Sequence, residues 1–454
     1  MSMLDRERTI APRGFNRWLI PPAALAVHLS IGQVYAFSVF KNPLVERFDT
    51  KLTPIGIIFS IAIVMLGLSA AFGGTWVERN GPRKTMFVAA LCWSSGFFIS
   101  ALGVAMDQLW IVYLGYGFIG GIGLGLGYIS PVSTLIKWFP DRPGLATGLA
   151  IMGFGGGALI ASPLSDALLA GFASTPADAI VPAFLTLGAI YLVMMMLGAF
   201  TVRVPADDWV PEGWVKPTES SARSMQTTAD VTAAAAIRTP QFWFLWIVLF
   251  TNVTAGIGIL EQAAPMIQDF FSDVDAEAAA GYVGLLSLAN MAGRFVWSST
   301  SDVIGRKPIY MGYLGIGAVL YFLVASVSSA SIALFVVLTA IIISFYGGGF
   351  ATVPADLKDL FGGLEVGAIH GRLLTAWAAA GVAGPLIVNA LADSQEAAGK
   401  SGADLYTLSL YIMVGVLIVG FIANLMIRPV DKRFHVRRPA EQREPAYEMA
   451  EETS

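Results

Sequence analysis

Arg294 stands in the middle of a long apolar stretch, Gly281 to Ser301, where a permanent positive charge is out of place. A guanidinium at bilayer depth costs about 2.5 to 3.5 kcal/mol on insertion scales, so it is expected to face a cavity and to meet an anion there. Asn290 precedes it by four positions and shares its helix face, where it can orient the guanidinium or touch the anion. His28 lies ten residues into another apolar stretch, about 15 Å along a helix. An imidazole titrates in the working range, which makes His28 the candidate proton carrier. Tyr35 follows seven positions on, two turns along the same face, and Tyr128 lies deep in a further stretch. Their hydroxyls can donate to a carboxylate while their rings close the cavity, and Tyr346 with Phe345 is placed to line it as well. No metal-ligand spacing, catalytic triad or phosphate loop accompanies these residues, so neither a cofactor nor an enzyme activity is expected.

The elements that must hold them are membrane helices. The chain of 454 residues is 56% hydrophobic and only 13% charged, against about a quarter charged in soluble domains. Apolar segments long enough to cross a hydrocarbon core of about 30 Å recur near 18–40, 55–77, 85–106, 109–136, 144–170, 180–203, 241–269, 279–302, 308–328, 331–357, 366–392 and 405–428, which makes twelve spans. Counted over these spans, 22 of the 28 basic residues fall on one side, and only Lys41, Arg47, Lys51 and Lys400 on the other. The rich side is expected to be cytoplasmic and to carry both termini, in the cytoplasmic (inner) membrane. Met1 to Asn16 lack the apolar core and cleavage site of a signal peptide, so the first span is expected to be retained. The lone Cys92 has no internal disulfide partner, and the net charge of −4 gives no sign of nucleic-acid binding.

The spans group in two sets of six. Residues 1–17 read as a cytoplasmic N-terminus, 18–204 as an N-terminal six-helix half, 205–240 as a polar linker, 241–428 as a C-terminal half and 429–454 as a disordered cytoplasmic tail. Arg83 and Arg306, Pro131 and Pro354, Gly148 and Gly371, and Pro163 and Pro385 recur at an offset of 222 to 223 residues. A constant offset argues for duplication, and parallel six-helix halves are a transporter architecture with its site at the midplane. The fold expected is an all-α membrane protein, acting as a monomer.

Gly73-Gly74-Thr75-Trp76-Val77-Glu78-Arg79-Asn80-Gly81-Pro82-Arg83-Lys84 after span two and Ser301-Asp302-Val303-Ile304-Gly305-Arg306-Lys307 after span eight resemble the loop motif of the major facilitator superfamily. The resemblance covers essentially the whole chain, with Glu78 where the family usually has Asp. It implies gate roles for Glu78, Arg79, Arg83, Asp302 and Arg306, since a carboxylate there can cap a neighbouring helix N-terminus or pair with Arg. Gln33-Val34-Tyr35-Ala36-Phe37-Ser38-Val39-Phe40, Trp138-Phe139-Pro140-Asp141-Arg142-Pro143-Gly144-Leu145-Ala146-Thr147-Gly148 and Gly293-Arg294 resemble the oxalate/formate antiporter family and its bacterial monocarboxylate relatives. That resemblance also places Tyr128 at the site. It implies a lysine in span eleven to match Arg294, and here Trp377 stands where that lysine falls.

One cation suits one carboxylate, because a second, unpaired carboxylate in the membrane costs several kcal/mol. Trp377 offers an apolar wall and an indole N–H to a small acid such as lactate or pyruvate. The reading is a secondary active transporter of small monocarboxylates, coupled to protons and working by alternating access. The alternative is an oxalate/formate-type exchanger in which Arg372 or protonated His28 supplies the second charge. A non-transporting membrane enzyme or sensor is the remote alternative.

Overall fold

The computed structural model describes residues 3–50, 52–206, 209–214, 225–227, 229–327 and 330–436. Twelve long helices follow one another in the described chain: α1 (Arg17–Ala36), α2 (Leu52–Asn80), α3 (Pro82–Ala105), α4 (Leu109–Trp138), α5 (Pro143–Phe172), α6 (Pro176–Thr201), α7 (Pro240–Phe270), α8 (Ala276–Ile304), α9 (Arg306–Ser326), α10 (Ile332–Phe361), α11 (Val366–Ala397) and α12 (Asp404–Met426). Eleven of them are long and apolar enough to cross a membrane. Among the described residues α8 does not qualify, although it is 29 residues long. It carries Asn290, Arg294 and the run Ser298-Ser299-Thr300-Ser301-Asp302, so the helix that bears the site is the one whose sequence is least lipid-like.

Local chemistry sets the helix ends. Proline opens α3, α5, α6 and α7, where its missing N–H is not needed. Thr175, Thr239, Asp275 and Ser331 cap α6, α7, α8 and α10 by accepting from a backbone N–H of the first turn. Gly81 and Gly305 make the tight turns from α2 to α3 and from α8 to α9 with φ of 82° and 99°, values that side chains resist. Four of the twelve helices are interrupted, α4 and α9 by π-helical segments at Tyr113–Gly120 and Gly312–Ile316. α1 passes from Ile20–Ile31 into a 3₁₀ turn at Gly32–Ala36, and α11 breaks at Leu374 between Val366–Leu373 and Thr375–Ala397.

The first six helices meet the last six mainly along two seams, α5 on α8 and α2 on α11. Large apolar side chains such as Phe72, Trp110, Val193, Val319 and Val419 remain exposed, as expected of a surface that faces lipid. The basic-rich face is drawn together. Arg83 donates to Met3 O, Phe200 O and Val202 O, tying the N-terminal segment and the end of α6 to the start of α3. Arg17 and Asp141 form a two-pronged ion pair at 2.6 and 2.9 Å. The Asp141 carboxyl stays below its usual range: burial opposes the charged form, but the hydrogen bond and charge of Arg17 outweigh it.

The polar segment between α6 and α7 and the start of the tail are more structured than composition suggests. Trp209 packs edge-on against Trp138 at 4.7 Å, and Val231 N donates to Phe361 O. The tail was expected to be disordered from Pro429, yet Lys432–Phe434 form a 3₁₀ turn and Val436 N donates to Asp230 O. Backbone pairing with the linker holds these residues, a long-range contact that composition does not reveal. Residues 207–208, 215–224, 228 and 437–454 of the expected linker and tail lie outside the described residues.

Candidate carboxylate site

Arg294 is wholly buried and reaches from α8 across to α5. Its Nε donates to Asn290 Oδ1 at 3.1 Å and its Nη1 to the Ile151 carbonyl at 3.2 Å. The guanidinium lies over the rings of Phe154 and Phe350, at 5.7 and 5.2 Å from their centroids, so part of its lost hydration is replaced by ring faces. A Cβ on Gly155 would stand 2.9 Å from Nε, so the absence of a side chain there lets the guanidinium lie against α5. Nη2 has no hydrogen-bond partner, and no acidic side chain among the described residues lies within ion-pair distance of Arg294.

Four further polar atoms around this group are buried without a hydrogen bond of good geometry: the hydroxyls of Tyr35, Tyr128 and Tyr346, and Trp377 Nε1, the Tyr35 hydroxyl facing that of Tyr346 and the Arg294 guanidinium. All three tyrosines feel the charge of Arg294. Their rings and neighbours interlock, Tyr35 on Phe154 at 5.1 Å, Tyr128 on Phe154 at 5.5 Å and on Trp377 at 6.1 Å, and Phe350 on Trp377 at 4.9 Å. α1, α4, α5, α8, α10 and α11 thus each contribute to one closed aromatic cluster. Buried polar atoms are nearly always paired. Here five in one place lack a well-formed bond, and each carries an N–H or O–H with at most the Tyr35 oxygen to share, so what the group is short of is acceptors.

The expected site residues therefore do converge: Arg294, Asn290, Tyr35, Tyr128 and Trp377, with Tyr346 alongside. Phe345 does not join them; it packs against Trp297 and Tyr313, on the other side of α10. His28 adjoins the cluster through Tyr128, stacked on that ring at 5.4 Å, and sets Nδ1 against Ala150 O at 2.7 Å and Nε2 against Tyr128 O at 3.0 Å. Sequence reasoning overlooked Phe154, Phe350 and His370. The two phenylalanines adjoin the glycine runs Gly155-Gly156-Gly157 and Gly347-Gly348-Gly349, and a lone bulky ring beside such a run was the available signal.

At the basic-rich face the two loop carboxylates cross between the sets of helices. Asp302 accepts from Gly144 N and Leu145 N at 2.9 and 2.8 Å, at the first turn of α5. Glu78 accepts from Gly367 N at 3.1 Å, at the first turn of α11, and pairs with Lys137. Gly144 and Gly367 are 223 residues apart, and Glu78 and Asp302 are 224 apart, so the same cap occurs twice at the offset of the repeat. The other loop cations differ. Arg306 stays within the last six helices on Asp302 and Asp359, Arg83 within the first six, and Arg79 is exposed with no hydrogen-bond or ion-pair partner among the described residues.

Residues 23–355 and 273–450 match the Major Facilitator Superfamily. The chain belongs to that superfamily. The oxalate:formate antiporter of Oxalobacter formigenes is 26% identical to it over 418 residues, 92% of this chain and 94% of that one. Monocarboxylate transporter 11 of Homo sapiens is 31% identical over 203 residues, 44% of this chain and 41% of that one. The solved superfamily transporter FucP, in its outward conformation, shares the fold with a TM-score of 0.67 at 14% identity, over 90% of this chain and 99% of that one. This member of the superfamily is thus a multi-pass membrane transporter and not an enzyme.

Within that fold the aromatic cluster lies between the two sets of helices and is sealed from solvent, since Arg294, Tyr128 and Trp377 are each fully buried. A cavity of about 440 Å³ lies elsewhere, at the basic-rich face between the ends of α2, α4 and α10, and its lining includes Glu78, Lys137, Lys358 and Trp209.

Proposed function

We propose that the protein moves a small monocarboxylate of lactate or pyruvate size together with a proton across the cytoplasmic membrane, rocking its two six-helix halves about the Arg294 cluster. Both termini and the 205–240 linker are then cytoplasmic. The observation that carries this is the group of donors short of acceptors around one unneutralised guanidinium: Arg294 Nη2, three tyrosine hydroxyls and Trp377 Nε1. A single carboxylate placed against Nη2 supplies acceptors for several of them and balances the charge. The aromatic walls leave an apolar surface for a methyl group. Asn290 holds the guanidinium in orientation, and Glu78 and Asp302 close the cytoplasmic gate by capping α11 and α5.

The exchanger reading draws on the oxalate:formate antiporter relative. It needs a second cation for a second carboxylate. Arg372 spends its guanidinium on Ala368 O and Thr75 Oγ1, and both His28 nitrogens face backbone carbonyls, so neither side chain is turned toward a second carboxylate beside Arg294. One cation favours the monocarboxylate.

Uptake of labelled lactate, pyruvate, formate and oxalate into proteoliposomes, with and without a pH gradient, tests the reading. Lactate or pyruvate uptake is expected to rise when the outside is acidified, and Arg294→Gln to abolish it. Arg294→Lys is expected to lose most of it, because a point charge on a flexible stem does not reproduce a planar fork. Oxalate uptake exceeding that of the monocarboxylates, or full transport by Arg294→Gln, would overturn it.

A further inference from the structure

His370 is buried to 1% exposure, and neither of its ring nitrogens has a hydrogen-bond partner. A leucine or phenylalanine would fill the same space without leaving a donor and an acceptor unmet, each at a cost of the order of a lost hydrogen bond. The contrast with His28 is informative. Both His28 nitrogens face carbonyls of α4 and α5, one of which accepts from the ring N–H, all within the first six helices, and these surroundings travel with it when the halves rock. His370 belongs to α11 and rests at 5.8 Å on Tyr128 of α4, across the division between the halves. The next residue, Gly371, is pressed so closely on α2 that a Cβ there would meet the Ala70 carbonyl at 2.0 Å. Any opening of the basic-rich face must separate these two helices, and with them His370 from its dry contact.

The charged and titratable groups about the ring are few. α4 presents Tyr128, and behind it His28 of α1 acts on the ring electrostatically. α2 brings Glu78 to Gly367, one turn away, where Lys137 already pairs with it. On its own helix Arg372 is held by Ala368 O and Thr75, and Glu365 accepts from Ala233 N. From α10, Lys358 donates to Pro140 O, while Asp356 and Asp359 lie toward Arg306. Pro240–Leu260 of α7 carries no charged residue.

We propose that His370 carries the co-transported proton. The inference rests on the reading of the adjoining cluster as a monocarboxylate site. A lone pair of the imidazole takes a proton from water on the side where the acid enters and returns it to water on the side where the acid leaves, so one anion and one proton cross with no net charge. A residue with this task must meet different surroundings in the two states. His370 does so because it belongs to one half and is walled by the other.

The test is transport by His370→Gln and, in parallel, His370→Asn in proteoliposomes. A gradient of about one pH unit sustains about tenfold accumulation by a one-proton symporter, since a unit is a tenfold ratio of proton activity. Both variants are expected to keep acid-for-acid exchange within a few-fold of the unaltered protein and to lose accumulation driven by the pH gradient. Their uptake should instead follow an inside-positive potassium diffusion potential, because an anion entering without its proton carries charge. Gradient-driven accumulation that persists in either variant overturns the proposal, and so does loss of exchange in both, which assigns the ring to packing. Unaltered protein that moves no monocarboxylate sinks the carboxylate reading itself, a result distinct from either of these.

Discussion

Gly155→Ala tests the position of the guanidinium without touching a polar group. The new Cβ would lie 2.9 Å from Arg294 Nε, 3.1 Å from Cδ and 3.3 Å from Cζ, all closer than ordinary van der Waals contact. α5 cannot yield, because Gly148 on the same helix already packs against the Arg294 carbonyl and Ser298, so the guanidinium must retreat. The bond from Nη1 to Ile151 O, 3.2 Å long, is stretched or lost. A guanidinium that retreats forfeits one charge-assisted hydrogen bond to the acid, about 1.5–3 kcal/mol, which at about 1.4 kcal/mol per decade is a loss of roughly 10- to 100-fold in affinity. Fold stability should fall as well, because the lost bond to Ile151 O and the crowding outweigh the gain of about 1 kcal/mol that alanine has over glycine in a helix. Half-saturation of uptake and the thermal midpoint in detergent are the two measurements. Gly171→Ala in the same helix, where a Cβ meets nothing within 4 Å, is the control and should transport normally. If Gly155→Ala takes up the acid with a half-saturation within about twofold of the unaltered protein, the guanidinium does not set affinity and the site assignment fails.

Two further substitutions probe the gate and the loop. Replacing Asp302 and Glu78 together by alanine removes three backbone caps that cross between the halves. At about 1 kcal/mol each, this should raise the labelling of a Ser133→Cys protein by water-soluble maleimide at least tenfold in a Cys92→Ser background, since Ser133 is buried beside Gly367. Unchanged labelling would deny the caps a part in closure. Asp141→Asn should lower the thermal midpoint slightly at neutral pH, the Arg17 pair being worth about 1 kcal/mol or less. The Asp141 carboxyl is held below its usual range, so the contribution is complete above the unfolded value of about 3.9 and disappears as the pH falls through the lower, folded value. A deficit that instead grew on acidification would contradict the pairing.

The sequence disclosed the cation, its helix and most of the cluster because each of these is anomalous where it stands. Arg294 is costly in an apolar stretch, and Asn290, Tyr35 and Tyr128 are polar where leucine would serve. Phe154 and Phe350 escaped because an aromatic ring in a membrane helix is ordinary; only its placement over a guanidinium makes it informative, and that depends on how α5 and α10 pack. His370 escaped for a related reason. It lies only four residues into α11, where a polar side chain reads as an interfacial one, and only the close seating of α11 on α2 buries it. The helix-capping use of Glu78 and Asp302 was legible as chemistry, but the backbone N–H donors, those of Gly144 and Gly367, are distant in sequence and show themselves only once the two seams are assembled.

In the proposed cycle the closing energy of the gate must be of the same order as the binding energy of the cargo. The three cross-helix N–H bonds to Glu78 and Asp302, each supported by the positive end of a helix, amount to a few kcal/mol together. A solute held at millimolar to micromolar affinity contributes about 4–8 kcal/mol. A gate much stronger than this would stay shut whatever the site held, and a much weaker one would open without cargo and leak. Asp302 accepts two of the three bonds and Glu78 one, so breaking the Asp302 cap removes about two thirds of this closing energy while leaving the central cluster intact. In the proposed cycle a single-cap variant such as Asp302→Ala should therefore transport with a shifted balance between inward and outward access, whereas Arg294→Gln should keep the gate and lose the cargo.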